Sequence, residues 1–141
     1  MADMRLDDKT VWTARTTADL EELESELAGK VLVLPGSVAD STAVRTMVER
    51  ITEWTGRLDA AVNCAGISPH FTRSEGVTDE DWQHVLDINL QGTFYCCREA
   101  GKIMLEQGSG SIVNVSSVHA STGFERIAAY AASKGGVEAL T

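Results

Sequence analysis

Short apolar runs alternate with stretches of helical periodicity along this chain, and that alternation constrains the fold more than any other feature. The runs are V-L-V-L at 31–34, L-D-A-A-V at 58–62 and S-I-V-N-V-S at 111–116. Brief apolar runs bounded by Gly, Pro or polar clusters read as buried strands. Residues 9–15 read as a further short strand. Thr17 then caps a helix whose Leu20, Leu23 and Leu27 share one stripe, and Gly29 stops it. A second helix is expected from Asp40 to near Gly56, with Val44, Met47, Val48, Ile51 and Trp54 at helical spacing as core. Thr78 and Asp81 resemble a capping box opening a long helical region. There Trp82, Val85, Leu86, Phe94 and Cys97 are expected to face inward, interrupted by Asn89 and Gly92. Gly108-Ser109-Gly110 turns the chain into the last run, and a final helix is expected near Tyr130. Strands alternating with helices predict an α/β fold, a parallel sheet covered by helices on both faces.

Composition narrows the functional classes. The 141 residues are 43% hydrophobic and 23% charged, enough for one domain with a real core. A net charge of −9 repels phosphates, so neither a nucleic acid nor an anionic membrane is an expected partner. No apolar run approaches the roughly 18 residues of a spanning helix. The charged start 1–8 does not read as a signal peptide. Cys64, Cys96 and Cys97 have neither metal-ligand nor disulfide-framework spacing, so no metal is expected and a reducing, cytoplasmic setting fits. Adjacent Cys96 and Cys97 read as buried or half-buried helix residues.

Chemistry concentrates near the end, in S-V-H-A-S-T-G-F-E-R-I-A-A-Y-A-A-S-K, residues 117–134. Tyr130 and Lys134, four apart on a helix, share one face. A free phenol titrates near about 10, so proton transfer near neutrality needs its ionised form favoured by about 3–4 kcal/mol. An ammonium beside it is a source of that stabilisation. A hydroxyl from Ser117 is placed to hold a substrate oxygen against the phenol. A bare Tyr-x-x-x-Lys also occurs on solvated helix faces, and its company decides the matter.

That company is Asn63-Cys64-Ala65-Gly66 after an apolar run, Asn89 in D-I-N-L-Q-G, and Ser117 thirteen residues before Tyr130. In this order and spacing the chain resembles the short-chain dehydrogenase/reductase family from about residue 58 to 141. Cys64 stands where that family carries the second Asn of N-N-A-G. The resemblance implies an NAD(P)-dependent oxidoreductase, hydride transfer between nicotinamide and a secondary alcohol or ketone, and a homo-oligomer. It implies Tyr130 as general acid/base, Lys134 as the charge beside it that also binds the nicotinamide ribose, Ser117 as the group orienting substrate, and Asn89 as the holder of a relay water. Asn63, Ala65 and Gly66 are then expected along the cofactor's adenosine side, and Val38 against adenine, with Ser37 where the family often has Asp. Arg15, where NAD-preferring members carry an acid, tilts the expectation towards NADP(H). His119 lies in the loop beyond Ser117, facing either substrate or solvent.

The same resemblance exposes what is missing. The family's glycine-rich turn T-G-x-x-x-G-x-G, which lets the backbone approach a pyrophosphate, has no counterpart: before Asn63 the glycines are Gly29, Gly36 and Gly56. Residues 6–11 resemble the opening of the family's first strand and 11–20 the end of its second, as though the segment between were deleted. The family's sixth and seventh strands have no counterpart after Thr141. The expectation is one partial Rossmann-like domain over 1–141, contracted to about four strands in the order 2-1-3-4, with 9–15 central between 31–34 and 58–62. A truncated, non-catalytic relative acting as an interaction subunit is the alternative, and a small flavodoxin-like regulatory module a third reading.

Overall fold

The computed structural model describes residues 10–12 and 31–141. Strands β1 (Thr10–Trp12) and β2 (Val31–Val33) pair in parallel, Val11 opposite Leu32. Helix α1 (Ser41–Thr55) follows, then β3 (Ala60–Asn63). Helix α2 (Asp79–Leu86) runs through a π turn (Asp87–Gln91) into α3 (Gly92–Gln107). Strand β4 (Ser111–Asn114) pairs in parallel with β3, Val62 opposite Val113. Helix α4 (Ala128–Leu140) closes the order, two residues earlier than expected at its start.

The helix boundaries follow local chemistry. The Asp40 carboxylate accepts the N–H groups of Thr42 and Ala43 at 2.8 and 3.2 Å, a cap contributing about 1 kcal/mol. Gly56 ends α1 in the left-handed region at φ 77°, where any other residue would be strained. Thr78 Oγ1 accepts the Asp81 N–H at 3.1 Å, and Asp79, Glu80 and Asp81 put negative charge on the positive end of the helix dipole. From α1, Val44 and Met47 bury with Leu34, and Leu32, Val38, Ile51, Tyr95 and Cys96 pack on them. This core clamps β2 and α1 to the first turns of α3. Each fully buried aliphatic side chain here contributes about 1.5–3 kcal/mol.

Two expectations are corrected. The order 2-1-3-4 is not found among the described residues, where β1 pairs with β2 and β3 with β4 and no ladder joins β1 to β3. The parallel α/β character holds, but the sheet is split into two pairs. One face of β3 and β4 is open, with Val62 62% and Val113 52% exposed. The inward stripe of 82–97 is also corrected. Trp82 and Phe94 lie at the surface, Phe94 beneath the Arg98 guanidinium at 5.5 Å. At about 100° per residue Phe94 stands half a turn round from Val85, and the residue inserted by the π turn brings it only part of the way back. Trp82 precedes that turn, on the mostly exposed first turns of α2. Val85, Ile88 and Asn89 face inward before the slip, and Thr93, Ala100 and Met104 after it. Arg15, the expected helix from Thr17 to Gly29, and residues 9 and 13–15 of the expected first strand lie outside the described residues.

Candidate active site

The site lies beyond the carboxyl ends of β3 and β4, where open parallel sheets take their ligands. Lys134, on the second turn of α4, is 4% exposed. A buried ammonium needs partners. Its Nζ donates to the Val115 carbonyl at 2.7 Å, one residue past β4, and lies 6.0 Å from the centre of the Tyr130 ring. One of its three N–H donors is thereby used and two are left for a ligand. Gly66 is beside it: a Cβ at that position would stand 3.5 Å from Lys134 Nζ and 3.5 Å from Asn89 Oδ1. Ser117 follows β4 in extended backbone and accepts the His119 N–H at 3.2 Å, opening the short turn Val118–Ala120 that packs on α4. Ser116, the other candidate hydroxyl, instead faces the helix, donating to the Lys134 carbonyl and to Glu138 at 3.3 and 3.1 Å.

Asn89 is fully buried at the π turn. Its amide oxygen accepts the Ile67 N–H at 2.8 Å; its amide nitrogen donates to the Ile67 carbonyl at 2.9 Å and to Ser133 Oγ at 3.0 Å. Ser133 in turn donates to the Tyr130 carbonyl at 2.7 Å. This chain of bonds fastens the loop after β3 to the helix carrying Tyr130 and Lys134. The π turn aims Asn89 at both. Ser133 was not among the residues read from the sequence. Its signal was a polar residue one turn past Tyr130 on a face that had to be buried.

The expected cofactor residues divide. Ala65 and Gly66 are exposed at the end of β3, near Lys134. Asn63 turns into the layer between sheet and α3, donating to Asn114 Oδ1 at 2.8 Å and to Cys97 Sγ at 3.5 Å. Val38 is half-buried against Gly92, where a Cβ would meet Val38 Cγ2 at 2.7 Å, so only glycine allows this approach. Cys96 and Cys97 are half-buried on α3, as expected, and burial followed by the neighbouring Cys97 pushes the Cys96 thiol up to about 11.

Two loops frame the mouth. Arg126, before α4, adopts φ 65°, a left-handed conformation costing a non-glycine residue about 1–3 kcal/mol. Its carbonyl accepts the Thr72 N–H at 3.0 Å, binding the loop after β3 to the loop before α4. Phe71 stacks towards Phe124 at 6.4 Å, and Phe124 towards His119 at 5.2 Å. His119 thus belongs to this aromatic wall. Among the described residues no group of three or more His, Cys, Asp or Glu is placed to hold a metal, and no helix is long and apolar enough to cross a membrane.

The parallel α/β fold, with Lys134 beside the Tyr130 ring past the strand ends, is Rossmann-like. A family model, short chain dehydrogenase, matches residues 3–141, and the chain belongs to that short-chain dehydrogenase/reductase family. It is 45% identical over 116 residues to a 3beta-hydroxysteroid dehydrogenase of Mediterraneibacter gnavus, covering 82% of this chain and 42% of that protein. The crystal structure of levodione reductase superposes with TM-score 0.89 at 36% identity, covering 94% of this chain and 54% of that one. The structure of ElxO with NADP bound superposes with TM-score 0.86 at 28% identity, covering 93% and 54%. The chain spans about half the length of the relatives it matches.

Proposed function

We propose that this chain carries the catalytic residues of an NAD(P)-dependent oxidoreductase that interconverts a secondary alcohol and a ketone. The observation that carries the reading is the buried Lys134 ammonium, held by Val115 beside the Tyr130 ring with two donors to spare. Those donors fit the hydroxyls of a ribose, and the open Gly66 leaves room for one. The nicotinamide cofactor, when bound, supplies or accepts the hydride at ring carbon C4. Ser117 Oγ holds the substrate oxygen. Tyr130 gives that oxygen its proton in the reducing direction and takes it back in the oxidising one, with Lys134 supplying positive charge beside it. Asn89 and Ser133 position the Tyr130 backbone, and any relay water of Asn89 sits on top of that task.

The pyrophosphate end fits less well. Without the glycine-rich turn a set of backbone donors is lost, each contributing about 1.5–3 kcal/mol to an anion. Arg15 supports a preference for NADP(H), and the composition supports a cytoplasmic setting. The bare Val62 and Val113 support assembly with further copies, because an apolar sheet face is seldom left to water.

A fluorescence titration with NADPH, followed by turnover of simple ketones, tests the reading. Binding weaker than micromolar is expected, with turnover that Tyr130→Phe abolishes. Turnover unaffected by that change overturns the assignment. The split between β1 and β3 favours one second reading, a non-catalytic relative acting as an interaction subunit. Absence of any hydride transfer at saturating NADPH selects it.

A further inference from the structure

We infer that Arg126 is a specificity-determining residue that selects substrates carrying a carboxylate besides the reacting alcohol or ketone. The inference rests on the oxidoreductase reading and extends it to the class of substrate. Arg126 and Tyr130 line one cleft, together with Ser68, His70 and Asp81. The guanidinium carbon lies over the Phe71 ring at 5.3 Å, and no hydrogen bond of its N–H groups to a described residue is formed. Among the described residues it has no carboxylate partner. The cleft's own carboxylate, Asp81, is engaged by His70 Nε2 at 3.0 Å, and the neighbouring Glu125 is exposed at the surface. An unpaired arginine at the mouth of a site is notable in a chain of net charge −9. Its planar fork matches a carboxylate in two parallel hydrogen bonds.

The backbone points the same way. Arg126 holds its left-handed φ of 65° where glycine would serve without strain, and the Thr72 hydrogen bond keeps it there. Strain retained beside a reacting group is explained by the position it gives the side chain. Phe71, under the Arg126 guanidinium, continues through Phe124 to His119 as an aromatic row, and Val77 and Val85 give the cleft itself apolar walls.

Two ketones of equal length test this, 4-oxopentanoate and neutral 2-pentanone, titrated into the full chain and followed by amide chemical shifts. Arg126→Gly suits the backbone conformation and keeps the fold. At least tenfold tighter binding of 4-oxopentanoate is expected in the parent chain, lost in Arg126→Gly and partly kept in Arg126→Lys. Equal affinity for the two ketones in the parent chain, or a preference that survives Arg126→Gly, overturns the inference. The shift titration needs no turnover. Failure of NADPH oxidation therefore counts against the oxidoreductase reading alone, and failure of the affinity difference against Arg126 alone.

Discussion

Lys134 Nζ donates to the carbonyl of Val115 at 2.7 Å, so the helix bearing the phenol is tied to the segment between β4 and Ser117. One hydrogen bond thus sets both the place of a buried cation and the distance between α4 and β4. Lys134→Met keeps the stem and removes the charge. It is expected to lower NADPH-dependent turnover at least a hundredfold while far-ultraviolet circular dichroism stays near that of the parent. Retained turnover would show that the ammonium takes no part in the chemistry.

Gly92 and Val38 touch where a helix start meets the loop after β2. Gly92→Ala drives a methyl into Val38 Cγ2 and is expected to cost about 1–3 kcal/mol by urea unfolding, despite alanine's better helix propensity. Val38→Ala in the same chain should recover most of it. Purely additive losses would show that the two do not meet.

Strand β3 shares its bonds with β4 through odd-numbered residues: Ser111 N–H donates to the Asp59 carbonyl and Val115 N–H to the Asn63 carbonyl, both at 3.0 Å. The amides of Ala60 and Val62 point the other way, where no described strand pairs with them. Hydrogen exchange should be fast at Ala60 and Val62 and slower at Ala61 and Asn63. Equal protection at all four would mean that another strand closes that edge.

Glu99 is 6% exposed, with Lys102 Nζ at 2.7 Å and Arg98 Nε at 2.6 Å. The Lys102 hydrogen bond, helped by Arg98 and opposed by burial, holds its carboxyl below the usual range. A lowered carboxyl stabilises the fold above its unfolded value of about 4.3, and that contribution is lost as pH falls through the folded value. Glu99→Gln should therefore flatten the acid limb of a stability–pH curve. An unchanged limb would place the acid sensitivity elsewhere.

Thiol reactivity should rank by burial. With its thiol pushed up to about 11, only about a thousandth of Cys96 is thiolate at pH 8, whereas Cys64 is exposed. Iodoacetamide mapping should find Cys64 modified first and Cys96 last, at least tenfold apart. Cys96 reacting as fast as Cys64 would mean that α3 opens readily.

Local signals were legible in the order of residues alone. Asp40, Gly56, Thr78 and Gly108 end or begin helices through bonds to their own neighbours, so no distant contact can move them. The Ser117, Tyr130 and Lys134 spacing was equally plain, because four residues on a helix make one face whatever packs against it. Three things were decided only by the tertiary structure. The π turn at Asp87–Gln91, held by Asn89's bonds to Ile67 and Ser133, sets the phase of α3 against α2, and no local pattern marks an inserted residue. The pairing of β1 with β2 but not with β3 depends on which strand edges meet, and strand propensity says nothing of neighbours. Arg126 carries no signal in the sequence that sets it apart. Its meaning came from the cleft it shares with Tyr130, the Phe71 ring beneath it and the Thr72 bond that keeps its backbone left-handed, contacts brought together from three separate stretches of chain.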